Sequence, residues 1–540
     1  MERLYNTFDS VEELQDYIRK ETKQALKENL ELLHEKSEPI KTKDRLEVVY
    51  AEHKDYKNIF KNIIVFTNNR DSDKNKTLKN IEEAIDNLKK AKCKVIPKLY
   101  TFVSDELTYS TDDSGILTIT DGDLTLDFKT ISNVDTLVFS RLGVQGRDNC
   151  EHVVSLLQDR GFLVLNPVRY SELASNKYDT AVLLRKGEIP QPRFCSMTKS
   201  ILYDEEQYLE SMRDVYPEWS KDPDKNEDFK LVCKILDGHG GTGVFMTDGK
   251  KLNAILQTIF AVDPERQLII QRKEEGDGGD IRVHVLTLRD EQKILACMKR
   301  QQLGGDFRSN VSLGAEAIKV ELTDEQEQIA LRAAKISRLP WCAVDIMPLK
   351  KGSNKEVGDN VVLELNASPG TDGISEVIGF NFINVLLNEL DDPKKFYLQD
   401  KVAGFLETVD IAMVDSSAPL LAKLDTGNGA VASHLEVGDY EEKDGKVTFK
   451  FNGKSITMKV IGHSKAVTGT QEHNRPIVVA KSISLGMRKQ YDIPIAIVRS
   501  RDGKSSNVLI NRELLSWLGY VVSPSQTHIL TPEMEKVKII

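Results

Sequence analysis

The chain has 540 residues, 40% hydrophobic and 29% charged, with a formal charge of −10 at neutral pH. That length exceeds one ordinary core and implies about three or four domains, and the acidic balance argues against general nucleic-acid binding, which needs a basic footprint. The start Met-Glu-Arg-Leu-Tyr-Asn lacks the apolar run of a signal peptide, and no segment approaches the roughly 18 apolar residues of a membrane span, so a cytoplasmic protein without membrane contact is expected.

Ser10-Val-Glu-Glu13 is a capping box, and Val11, Leu14, Ile18, Ala25, Leu30 and Leu33 follow at near-helical spacing, predicting an amphipathic helix within an extension over 1–57. A strand over Asn62–Phe66, a helix over Lys76–Lys92 and a strand over Lys94–Pro97 make a βαβ unit. With the strands Thr136–Phe139 and Phe162–Leu165 around a helix bearing Val153, Val154 and Leu157, residues 58–165 read as a small α/β domain. Thr108–Lys129, rich in Asp, Thr, Ser and Gly, suggests a β-hairpin insertion. The six cysteines are scattered with no C-x-x-C pair, as expected of reduced, mostly buried thiols.

The strand Phe229–Lys234 runs into Gly238-His-Gly-Gly-Thr-Gly243, where glycines let backbone N–H groups approach phosphate while Lys234 supplies charge. Leu268-Ile-Ile-Gln271 is a buried strand, and Gly279-Asp-Ile-Arg-Val283 and Gly304-Gly-Asp-Phe-Arg-Ser-Asn310 follow. Trp341–Ile346 is a short strand with one inward acid, Asp345. Val361-Val-Leu-Glu-Leu-Asn-Ala-Ser-Pro-Gly370 then presents Glu364 and Asn366 on one strand face, two oxygen ligands at i and i+2 that suit Mg²⁺. Asp391-Asp-Pro-Lys-Lys395 interrupts the apolar helix Phe382–Leu390 and marks a boundary.

In this order the segments from about Asn166 to Leu390 resemble the ATP-grasp ligases, and most closely the RimK-type branch that adds glutamate to protein C-termini. The resemblance implies an α/β ATP-grasp fold over 166–395 behind a pre-ATP-grasp α/β domain. It implies ATP and Mg²⁺, or Mn²⁺ in its place, as cofactors, and an acidic amino acid and a peptide or protein acceptor as partners. By the same likeness Lys177 and Lys234 contact the nucleotide phosphates, with Gly240, Gly241, Gly243, Gln271 and Asn310 around the nucleotide and Asp280 near its ribose. Arg308 lies near the transferred phosphate, Arg282 and Arg300 complete a catalytic guanidinium group, and Asp345, Glu364 and Asn366 hold the metal. At the hinge, Arg272-Lys-Glu-Glu275 departs from the family's acid-aromatic-aliphatic run.

Beyond residue 402, short alternating segments such as Val447–Phe451, Ile456–Val460 and Ile493–Val498 between Gly, Asp and Asn turns predict a small all-β barrel. Ala422-Lys-Leu-Asp-Thr-Gly427, with Arg475–Val479 and Val508–Leu514, resembles the retropepsin-like proteases associated with RimK genes, although Asn428 and Asn511 depart from that pattern. The likeness implies Asp425 as a catalytic acid. Such chemistry needs two carboxylates sharing a proton, so a second chain is expected to supply the other and the protein to be at least a dimer. His434, His463, His473 and His528 leave a zinc hydrolase as an alternative, without a supporting ligand spacing. The reading is therefore a bifunctional ligase and peptidase. Its rivals are a ligase whose tail recognises the acceptor without cleaving it, and a nucleotide-binding scaffold without turnover.

Overall fold

The structure, a computed structural model, describes residues 56–112, 117–122, 124–140, 147–236, 243–301, 316–351, 358–468, 471–500 and 506–531. These belong to one compact unit spanning His53–Ile540. The helix expected over residues 10–33 lies outside the described residues.

The first seven strands are β1 (Asn62–Thr67), β2 (Lys98–Val103), β3 (Leu107–Thr111), β4 (Leu117–Asp121), β5 (Leu124–Asp127), β6 (Thr136–Ser140) and β7 (Leu163–Leu165). Four of them make a parallel sheet in the order β2-β1-β6-β7. The expected hairpin is a three-stranded antiparallel sheet of β3, β4 and β5. Helix α1 (Lys76–Lys90) starts where the Asn75 side chain accepts the Leu78 N–H, and it buries Leu78, Ile81, Ala84, Ile85 and Leu88 on one face. Helix α2 (Arg147–Asp159) lies between β6 and β7 in the chain. The strand expected over Lys94–Pro97 begins instead at Lys98, immediately after Pro97, whose missing N–H cannot enter a ladder.

Two further sheets carry the candidate site. Strands β8 (Phe194–Met197), β9 (Lys230–Ile235), β10 (Val244–Asp248) and β11 (Leu268–Arg272) form the first, in the order β10-β9-β11-β8. Alternation divides its faces. On one face Phe194 and Ile269 meet Ala181 of α3 (Lys177–Lys186), while on the other Cys195, Met197, Leu231, Cys233, Leu268 and Ile270 pack against helices including α4 (Gly249–Val262).

Strands β12 (Gly279–Thr287), β13 (Gln292–Gln301), β14 (Glu316–Ile318), β15 (Trp341–Pro348) and β16 (Asn360–Asn366) form the second, an antiparallel sheet in the order β14-β13-β12-β15-β16. Helix α5 (Asp324–Ser337) packs on this sheet and starts in a capping box formed by Thr323 and Gln326. Toward the start of β15, Trp341 stacks with Phe382 of α6 (Phe382–Glu389) and with His284, whose ring lies tilted against Phe382.

After Asp400 the chain becomes all-β apart from helix α7 (Arg512–Leu518). The strands are β17 (Lys401–Ala412), β18 (Ser417–Leu424), β19 (Ser433–Val437), β20 (Tyr440–Lys443), β21 (Lys446–Phe451), β22 (Lys454–Lys459), β23 (Gly462–Thr468), β24 (Gln471–Leu485), β25 (Arg488–Arg499), β26 (Val508–Ile510) and β27 (Tyr520–Thr527). The pairings β17-β24-β25-β19-β26-β18-β17 run in a closed ring of six strands around Val409, Ile411, Leu420, Val478, Ile483, Ile495 and Ile510.

All six cysteines are free thiols, five of them buried. No helix among the described residues is long and apolar enough to cross a membrane.

Candidate active site

Register brings the acids together. Asp280 stands opposite Arg300, Arg282 opposite Asp345, Asp345 opposite Glu364 and Ala343 opposite Asn366, so cross-strand neighbours form a row over four strands. The β15–β16 ladder shifts register between Asp345 and Ile346, a bulge beside the two carboxylates. Bulges of this kind re-aim side chains.

Asp345 is 1% exposed and takes both nitrogens of an Arg282 fork, Nε to Oδ1 at 2.8 Å and Nη2 to Oδ2 at 2.7 Å, plus Arg300 Nη2 to Oδ2 at 2.8 Å. Burial works against its charge, but Arg282 and Arg300 outweigh it and hold the carboxyl well below the usual range. Glu364 stands 3.8 Å from Arg282, and 43% of its side chain reaches solvent. Enclosing protein and then the Asp345 charge raise its carboxyl above the ordinary value.

Two lysines come from the first site sheet and the helix packed on it. Lys234 on β9 pairs with Ile269, on the face toward α3, and Lys177 opens α3 with its backbone N–H on the Leu236 carbonyl at 3.2 Å. Enclosure pulls the Lys234 ammonium below its usual value, Glu364 opposes this and Lys177 adds to it. Lys234 thus feels both Glu364 and Lys177, and two crowded ammonium groups favour an anion. Gly243 follows with φ of +71°, and a Cβ there would collide with the Ile235 side chain, so the return of the loop requires glycine. Gln271 is buried on β11, opposite Val232 and Phe194.

Two of the residues expected at the ligand bind each other. Arg300 is 4% exposed in its side chain and donates to both oxygens of Asp280, Nε to Oδ1 at 2.7 Å and Nη2 to Oδ2 at 2.6 Å. Asp280, itself buried, orients Arg300, and Arg300 in turn braces Asp345. Arg282 stands beside Glu364. Arg308 lies outside the described residues, with Gly240, Gly241 and Asn310.

The donor set fits a hard cation. Two carboxylates and an amide oxygen leave room for phosphate oxygens, as Mg²⁺ prefers. No group of three His, Cys, Asp or Glu side chains suited to a metal occurs among the described residues, so nothing there supports the zinc alternative.

Asp425 belongs to another place, the loop after β18. Its N–H donates to the Ile510 carbonyl at 2.9 Å and its Oδ1 accepts the Gly427 N–H at 3.0 Å. Asn511, where the protease pattern has glycine, caps α7 by accepting the Leu514 N–H and bonds Ser433 and Ala430. The sequence reading missed Asn166, whose one visible signal is a polar residue ending the apolar run Leu163–Leu165.

A family model described as the RimK-like ATP-grasp domain matches residues 174–390, the stretch that holds both site sheets. The chain is 34% identical over 180 residues to a probable alpha-L-glutamate ligase of Vibrio atlanticus (strain LGP32), covering 32% of this chain and 56% of that protein. It is 31% identical over 184 residues to a probable alpha-L-glutamate ligase of Legionella pneumophila (strain Corby), covering 33% and 57%. The chain thus spans about half the length of the curated relatives it matches. Among solved structures, it is similar to the ATP-grasp ligase PsnB complexed with a minimal precursor, at 19% identity and a TM-score of 0.42, covering 61% of this chain and 99% of that one.

Proposed function

We propose that this protein is an ADP-forming carboxylate-amine ligase that adds an acidic amino acid, glutamate, to the C-terminus of a peptide or protein. The observation that carries the reading is the grouping of Asp345, Glu364 and Asn366 on adjacent strands, opposite Lys177 and Lys234. In the proposed reaction an acceptor carboxylate oxygen attacks the γ-phosphorus of ATP, the bond to the bridging oxygen breaks and ADP leaves. The amine nitrogen then attacks the acyl carbon, phosphate departs and the nitrogen loses a proton, leaving an amide. Lys177 and Lys234 hold the phosphates, and Arg282 and Arg308 meet the charge that develops on the transferring group. Magnesium held by Asp345, Glu364 and Asn366 would supply positive charge to the polyphosphate.

The test supplies Mg²⁺-ATP, glutamate and candidate acceptors and follows ADP and phosphate. Glu364→Ala and Lys234→Ala should each abolish release. Formation of AMP and pyrophosphate, or full turnover by both variants, rejects the ligase reading. Nucleotide binding without turnover on acceptors captured by co-expression and mass spectrometry supports the scaffold reading.

For the C-terminal ring we propose a retropepsin-like module that processes the product. Support comes from the Asp-Thr-Gly loop at the end of β18, which runs parallel to β26 just before α7. One chain offers one such aspartate, so the proposal includes a homodimer. Asp425→Asn should stop cleavage, spare ADP release and lengthen the ligation products. In mixtures of wild-type and Asp425→Asn chains, a loss of cleavage steeper than the mutant fraction supports the shared pair. No cleavage by the wild type of any ligation product favours acceptor recognition instead.

A further inference from the structure

Asn166 follows β7 in the parallel sheet, yet its side chain serves the antiparallel one. It is 1% exposed, and its carboxamide makes three hydrogen bonds across that boundary. Oδ1 accepts the Trp341 N–H at 3.0 Å, and Nδ2 donates to the carbonyl oxygens of Trp341 at 2.5 Å and Ala367 at 2.5 Å. The Asn166 carbonyl in turn accepts the Ser140 hydroxyl. Trp341 opens the strand that carries Asp345, and Ala367 is the residue after Asn366.

The position of these bonds matters because the β15–β16 ladder ends at the pair Ala343 and Asn366. Asn366 therefore stands at the open end of the pairing. The Asn166 carboxamide takes over there, bridging the two strands just past the last rung. Only an amide suits the place. It needs one acceptor for an N–H and two donors for carbonyls, which a carboxylate lacks. Trp341 is held independently, edge-on to Phe139 of β6 and stacked with Phe382, so the movable partner is the Ala367 side, next to Asn366.

We propose that Asn166 is a positioning residue for the divalent-cation site: it sets the separation of Asn366 from Asp345 and Glu364 without touching the cation. The inference rests on reading those three residues as the magnesium site. Loss of the clamp should therefore raise the metal requirement while leaving the nucleotide's own contacts, on the other sheet, in place.

The experiment titrates the full chain with a fluorescent ADP analogue at graded Mg²⁺, alongside thermal midpoints. For Asn166→Ala, half-maximal Mg²⁺-dependent binding should need about tenfold more Mg²⁺, the usual scale for losing a group that orients a metal ligand. Metal-free affinity should stay within about twofold of wild type, since the clamp does not touch the nucleotide's lysines. Asn166→Asp, which sets a carboxylate against two carbonyl oxygens, should be at least as impaired. If Asn166→Ala does not fold, Asn166→Ser carries the same comparison. Val138→Ala, buried in the neighbouring strand, controls for lowered stability and should leave the Mg²⁺ midpoint unchanged. An unchanged midpoint in the Asn166 variants, or an equal shift in Val138→Ala, overturns the proposal while leaving the magnesium site standing. Wild-type binding that ignores Mg²⁺, or Mg²⁺-dependent binding that persists unchanged in Asp345→Asn, overturns the magnesium reading and this inference with it.

Discussion

Arg282 grips Asp345 through two parallel hydrogen bonds of 2.8 and 2.7 Å across adjacent antiparallel strands, while its guanidinium stands 3.8 Å from Glu364. The arginine thus neutralises the carboxylates that a cation would use, and the two compete for the same charge. Arg282→Ala should tighten cation binding in the absence of nucleotide by about tenfold, the order expected on removing a nearby positive charge from a screened cleft. Turnover should nevertheless fall by about a hundredfold or more if the same guanidinium stabilises the transferring phosphoryl group. Calorimetry with Mn²⁺ and steady-state ADP release check the two arms. Weaker cation binding would reject the competition.

Gly279 is the backbone position that lets Arg300 approach. Its φ is +130°, and a Cβ would collide with the Arg300 carbonyl oxygen. That contact is backbone, so it cannot be relieved by a side-chain swing. Gly279→Ala should shift the Asp280–Arg300 pair, lower stability by about 3 kcal/mol or more and reduce turnover as strongly. Denaturation midpoints measure the first effect. A loss below about 1 kcal/mol would mean that the strand adjusts freely.

His284 is fully buried, and neither ring nitrogen has a hydrogen-bond partner among the described residues. Burial, helped by the charge of Arg282, pushes its pKa down from 6.5 to about 3. Between those two values the unfolded chain binds this proton and the folded chain does not, so stability falls as pH drops through 6.5. From about pH 7.5 to about pH 5.5 the loss should be about 1.4 kcal/mol. His284→Leu should remove that part of the slope. The comparison is of thermal midpoints in the two buffers, and equal slopes in both proteins would refute it.

Arg488 is 1% exposed and bonds four carbonyl oxygens from three segments: Leu518 at 2.7 Å, Gly519 at 2.8 Å, Gln399 at 2.8 Å and Gln158 at 3.2 Å. It therefore ties the C-terminal ring to the connection before β17 and to helix α2. Arg488→Met should cost about 3–5 kcal/mol, because four acceptors lose a charged donor. Arg488→Lys should restore less than half, having no planar fork. Faster proteolysis in the connection between Asp391 and Lys401 is the expected companion. Unaltered protection in Arg488→Met would show that the remaining contacts hold the ring in place.

Much of the candidate site was legible locally. Alternation along Val361–Asn366 put Glu364 and Asn366 on one face, and the inward acid of Trp341–Ile346 stood out in an apolar strand. Glycine was expected in the loop after Lys234, and the conformation at Gly243 requires it. Helix α1 was readable from its spacing, ending within two residues of expectation.

What the sequence by itself determined is which residues share a strand face or a helix face, because those periods depend on neighbours a few positions away. The tertiary structure decided which strand each face meets. Asp280 and Arg300 are 20 residues apart in the chain and Asn166 and Trp341 are 175 apart. Their bonds depend on ladder register and sheet packing, which no local pattern encodes. For that reason Asp280 and Arg300, expected at the ligand, also brace each other, and Asn166, whose only local signal is that it ends an apolar run, links two sheets. Arg488 follows the same rule: its charge is plain in the sequence, but its burial exists only once three separate segments close around it.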